Sequence, residues 1–163
     1  MKRKLCVFFL FCMLLSACGN MGERIKEPVT FYYVRSQAQY FADDGVIVSE
    51  EREASGHRND LSYLIAIYLM GPIQKDHRSP LPSGTKLYNV STSPEETEIR
   101  LSDLDDILSD AEYALASACL AKTCFGLTET NRIAVVSGER SVLLTKDSIS
   151  ESDTIPKSTE EAS

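Results

Sequence analysis

Apolar residues recur at helical spacing shortly after residue 60. Leu61, Leu64, Ile65, Tyr68 and Leu69 fall at i, i+3, i+4, i+7 and i+8, which is one face at the α-helical period. Asn59 or Asp60 can accept the first unpaired backbone N–H groups as N-cap. Gly71 stands where a left-handed C-cap is needed, and Pro72 cannot continue the helix. Pro80, Pro82 and Gly84 then force a bent path, and residues 85–90 alternate as a strand entering a sheet. Around this stretch the rest of the chain falls into short elements. Residues 29–35 are aromatic and β-branched and read as a strand. Asp43, Asp44 and Gly45 form a turn signal before a second strand opened by Val46, Ile47 and Val48. The charged residues 50–58 are expected to end that strand and run into a loop.

Beyond residue 90, a turn at Ser93, Pro94, Glu95 and Glu96 precedes residues 97–101, a half-buried strand with Ile99 and Leu101 on its inner side. A longer stripe follows: Ile107, Leu108, Ala111, Ala114, Leu115, Ala118 and Cys119 repeat at helical spacing. Ser102 or Asp103 is its expected cap and Gly126 its expected stop. Residues 132–137 and 141–145 read as strands joined by a turn at Gly138, Glu139 and Arg140. Residues 151–163 are polar, acidic and rich in Ser and Thr, and disorder is expected there. The pattern predicts an α+β domain, a small sheet with two helices packed on one face. The boundaries expected are a leader over 1–18, a tether over 19–28, the domain over 29–146 and an acidic tail over 147–163.

A helix ending in Leu69-Met70-Gly71-Pro72, followed by Ser79-Pro80-Leu81-Pro82-Ser83-Gly84-Thr85-Lys86-Leu87, resembles the GerMN domain. The likeness covers roughly residues 29–146, with one such unit and no internal repeat. The resemblance implies a compact fold similar to the ring-building motifs of secretion-type assemblies. It also implies a place among bacterial envelope lipoproteins associated with spore formation and germination.

Charge narrows the partners. Lys2, Arg3 and Lys4 lie in the leader, while every acidic residue lies after Cys18. Without the leader, fourteen basic residues face twenty-four acidic ones, a net charge of −10. That balance argues against nucleic acid and against a polybasic membrane-surface module. The N-terminus has the three parts of a bacterial lipoprotein signal: the basic residues, an apolar run over 5–15 too short to span a bilayer, and Leu15-Ser16-Ala17-Cys18, a lipobox. An ordinary secretory peptide with an incidental Cys18, or a retained anchor, are the competing readings. Lipidation at Cys18 would make it the mature N-terminus, and two acyl chains hold a bilayer where one holds only marginally. Gly19 rather than Asp follows Cys18, so there is no inner-membrane retention signal of the Gram-negative type.

Few residues suggest chemistry. Cys119 and Cys124 are the only cysteines after Cys18. On a regular helix they would face about 140° apart, so the choice lies between buried thiols and a disulfide that needs the helix to end before Cys124. No second Cys/His pair gives a zinc-like spacing. His57 and His77 sit among charged residues, with Ser55, Asp60, Asp76 and Ser79 nearby. There is no G-x-S-x-G elbow, so surface histidines are expected. Asp43, Asp44, Asp103, Asp105 and Asp106 fit turn and helix-start roles more simply than a calcium site. Gly71 and Gly84 are too far apart for a phosphate loop. No cofactor, metal or catalytic residue is expected. The reading is a non-enzymatic lipoprotein on the extracytoplasmic face of the cell membrane, held in the bilayer through Cys18 and making contacts with an envelope protein. The alternative is an envelope binding module for a small ligand or a peptidoglycan fragment.

Overall fold

The computed structural model describes residues 27–37 and 45–149. Strand β1 (Pro28–Arg35) turns Val29, Phe31 and Tyr33 into the core by simple alternation. It pairs antiparallel with β2 (Ile47–Glu53), from Pro28 opposite Glu53 to Val34 opposite Ile47. The charged run after Ile47 therefore belongs to the strand itself. Part of the connecting turn, with Asp43 and Asp44, lies outside the described residues. Helix α1 (Leu61–Leu69) follows the expected period: Leu64, Ile65 and Tyr68 are buried, and Leu61 and Leu69 pack against them. Its N-cap is Asp60, whose side chain accepts the Tyr63 N–H at 3.0 Å. Gly71 follows the helix at φ +91°, a left-handed backbone that strains any residue with a Cβ. Strand β3 (His77–Arg78) then adds to the other side of β1, completing a sheet in the order β2-β1-β3.

The remaining strands form a second sheet, β4 (Leu87–Thr92), β5 (Thr97–Leu101), β6 (Arg132–Ser137) and β7 (Arg140–Thr145), in that order. The strands thus divide between two sheets where a single small one was expected, because β1 pairs only with β2 and β3. The β4 register slips between Leu87 and Asn89. β5 and β6 are parallel, which requires a crossover, and helix α2 (Asp110–Phe125) supplies it. A two-residue turn, Gly138 and Glu139, joins β6 to β7.

α2 departs from the sequence reading at its start and in its face. Its cap is Ser109, not Ser102 or Asp103. The Ser109 hydroxyl accepts the Glu112 N–H, and the Glu112 carboxylate accepts the Ser109 N–H at 2.9 Å, closing a capping box. Residues 102–109 cannot be helix, because Leu104 is buried in the core and Asp105 binds outward to Arg140 at 2.8 Å. The buried face consists of Tyr113, Ala116, Ser117, Cys119, Leu120, Ala121, Thr123, Cys124 and Phe125. Of the expected stripe only Cys119 is buried; Leu108, Leu115 and Ala118 are half-buried, and Ile107, Ala111 and Ala114 are exposed. The Tyr113 hydroxyl fixes this rotation by donating to the Val135 carbonyl at 3.0 Å. Residues of both helices and both sheets meet in one hydrophobic core. The ordered chain continues past residue 146 as a 3-10 turn (Lys146–Ser148), and Ile149 packs against that core.

Candidate functional site

The residues singled out by sequence do not converge. Cys18 lies outside the described residues. Cys119 and Cys124 are free, buried thiols, and the helix runs through both. Burial pushes each thiol up to about 12. The His57 ring stacks on Tyr63 at 4.1 Å, and Ser55, Ser83 and Asp76 are exposed around separate turns. Asp60 is a cap. Ser79 closes a turn, its hydroxyl donating to the Leu81 carbonyl at 2.9 Å. Asp103 accepts the Asp105 N–H at 2.9 Å. Asp105 accepts the Glu139 N–H at 2.9 Å and pairs with Arg140. These bonds hold its carboxyl below the ordinary value.

His77 is not the surface histidine expected. Its side chain is 5% exposed, with Nδ1 3.5 Å from a Glu50 carboxylate oxygen. The charged neighbours in sequence hid this, because β3 turns the His77 side chain inward while Asp76 and Arg78 stay exposed. Glu50, which no motif marked, is the centre of the cluster and is 2% exposed. One oxygen takes the Arg52 Nε–H at 2.6 Å, and the pair take the N–H groups of Ile73 and Gln74 at 3.0–3.1 Å. Arg52 also donates to the Gly71 carbonyl and lies over the Phe31 ring, 5.4 Å from its centroid. Burial alone would raise the Glu50 carboxyl. The bonds from Gln74, Arg52 and Ile73 outweigh it and hold the group below its ordinary value. The cluster thus pins the loop leaving α1. A carboxylate on the inward register of an otherwise charged strand is the one sequence signal that could have found it.

Two surfaces among the described residues bear on binding. A groove of about 180 Å³ lies between the Pro80–Pro82 bend and α2, with Leu108 and Leu115 on its wall and Arg78 and Glu112 beside them. Of the stripe expected to fill the core, Leu108 and Leu115 line this groove instead. The second surface is the edge of β7. Lys146 N–H bonds to Asn131 across β6, so even-numbered residues face β6 and odd ones point their N–H and C=O outward. Thr145 is closed off by the Ser148 hydroxyl at 3.0 and 2.8 Å. Ser141 and Leu143 are left with outward backbone groups, and Leu143 is 48% exposed. The other edges are managed: β4 carries a register slip, β2 carries Glu51 and Glu53, and β3 is only two residues long. No helix among the described residues is long and apolar enough to cross a membrane.

No family model matches the sequence, and no curated protein matches it. Among solved structures, a Clostridium perfringens chain provisionally described as a lipoprotein is similar, with 18% identity and a TM-score of 0.45. That match covers 74% of this chain and 87% of the other. The tandem GerMN domains of the sporulation protein GerM from Bacillus subtilis are similar at 14% identity and a TM-score of 0.52. That match covers 81% of this chain, which spans 46% of the tandem chain. Two small sheets and two helices around one core, with α2 crossing between parallel strands, give this chain the α+β fold of a GerMN domain.

Proposed function

We propose that the protein is a non-enzymatic envelope lipoprotein, anchored on the extracytoplasmic face of the cell membrane through Cys18, whose GerMN-like domain makes protein–protein contacts. The lipobox supports the anchor, and the likeness to a sporulation protein's domains suggests spore formation or germination as the process. The observation that carries the contact role is the open edge of β7. Ser141 and Leu143 offer unpaired backbone groups and no charge, the arrangement that accepts a strand from another chain. The groove favours a small ligand less, since about 180 Å³ falls below the roughly 300–1,000 Å³ usual for such pockets.

Two measurements test this. Cys18→Ser should leave an unprocessed precursor that takes no label from a fatty-acid analogue; equal labelling of mutant and parent removes the anchor. A photo-crosslinking residue at Ser141 should form one defined adduct in membranes, and adding Leu143→Lys should abolish it with the circular dichroism spectrum unchanged. An adduct that survives Leu143→Lys removes β7 as the contact.

A further inference from the structure

The free stretch of the β7 edge is bounded on both sides by backbone groups already bonded. Before it, the Glu139 N–H is taken by Asp105 at 2.9 Å. After it, the Ser148 hydroxyl accepts the Thr145 N–H at 3.0 Å and donates to the Thr145 carbonyl at 2.8 Å. Between these ends Ser141 and Leu143 turn their N–H and C=O outward, and they stand symmetrically about Val142. That symmetry suits a second copy of this chain. A two-fold axis through Val142 sets Ser141 of one copy opposite Leu143 of the other, antiparallel, and the reverse. Each such pair exchanges both of its hydrogen bonds, so every outward group of the stretch is bonded across the seam. Moving the axis one or two residues either way sets Ser141 or Leu143 against Glu139 or Thr145, whose N–H groups are already taken. A longer strand from another protein would lay its own backbone groups over those occupied ends, whereas a second copy stops at the same two places. The side chains agree. Val142 packs partly buried against the core and would meet its own counterpart in the closer, non-hydrogen-bonded kind of pair, at about 4.5 Å between Cα atoms. On the outer face the exposed Leu143 lies beside the small Ser141. Arg140 faces Leu144 and Glu139 faces Thr145, so no like charges meet across the seam.

We propose that β7 pairs antiparallel with β7 of a second copy about Val142, joining two four-stranded sheets into one continuous sheet. The proposal rests on the contact role argued above and names its partner. The seam is small, and confinement of both copies in one bilayer through Cys18 would raise their effective concentration.

The test uses the full chain in membranes, under mild oxidation with copper phenanthroline. Val142→Cys should give a disulfide-linked dimer, since the axis brings the two Cα atoms within disulfide reach. Cys119 and Cys124 are buried, so the parent chain supplies the blank. Chains carrying Ser141→Cys, co-expressed with chains carrying Leu143→Cys, should dimerise several-fold faster than either variant alone, because the mixed pair stands directly opposite. Leu143→Pro removes an outward N–H and leaves the ladder to β6 intact. It should reduce the Val142→Cys dimer several-fold with the circular dichroism spectrum unchanged. If no dimer forms, while the photo-crosslinker at Ser141 gives an adduct of a mass other than twice the chain, β7 receives a different protein; self-pairing is overturned and the contact role stands. If neither dimer nor adduct forms, both are overturned. If Ser141→Cys or Leu143→Cys alone links as fast as the mixture, the copies meet by collision and the seam is overturned.

Discussion

Glu50 shows how a single side chain sets the geometry of a distant loop. Glu50→Ala leaves Arg52 and the N–H groups of Ile73 and Gln74 without their carboxylate. The cost expected on breaking such a buried pair is about 3–5 kcal/mol, read by denaturant unfolding. Its pH dependence follows from the lowered carboxyl. The stabilisation is present above the unfolded value near 4.5 and is lost as pH falls through the folded one. Glu50→Gln should flatten that acid limb; an unchanged limb would mean other carboxylates set it. The thiols give a second test. With Cys119 and Cys124 raised to about 12 by burial, alkylation of the native protein near pH 8 should be negligible and should follow unfolding. Rapid labelling of either in the folded state would show that α2 opens locally. Gly138 is a third case. At φ +56°, a Cβ there would stand 2.3 Å from an Asp105 carboxylate oxygen, so Gly138→Ala should cost about 1–3 kcal/mol in thermal or denaturant unfolding.

At the scale of elements, α1, β1 and β5 were legible because each carries one clear period and a clear stop. Asp60, Gly71 and Pro72 mark the α1 ends by side-chain chemistry alone. α2 was legible as a helix but not in its rotation. Ala111, Ala114, Ala116, Ala118 and Ala121 lie on several faces, so small apolar residues do not choose one. The buried Ser117 and Thr123 interrupt the true stripe. The Thr123 hydroxyl is satisfied within the helix by Cys119 O at 3.0 Å, which lets a polar residue face the core. The pinned loop was not legible for a related reason: nothing local to Glu50 tells that the backbone groups it binds, at Ile73 and Gln74, lie more than twenty residues away. The corrected rotation makes a sharp prediction. Leu120→Ala should cost about 2–5 kcal/mol as a core truncation. Leu115→Ala, on the groove wall, should cost less than about 1 kcal/mol. Equal losses in denaturant titration would restore the original face.

The whole molecule is two sheets that share one interior. Phe31, Tyr33 and Tyr68 from the first half meet Leu120, Ile133 and Val135 from the second, with Tyr33 and Tyr68 stacked at 4.9 Å. No part of the core belongs to one sheet alone, so the domain should unfold in a single step. Far-ultraviolet dichroism and tyrosine fluorescence should give one coincident transition. Two separated transitions would mean that the sheets are independent units. The position of β1 has a mechanical consequence. It is the central strand of its sheet, bonded to β2 on one side and β3 on the other, and it is also where the N-terminal segment joins the domain. A pull along β1 loads its hydrogen bonds to β2 from Pro28 onward, and at Val34 and Arg35 those to β3 as well, in shear. They cannot be peeled one at a time from a free edge. Were the chain moored through Cys18 as proposed, the domain would be braced against tension at the strand that takes the load.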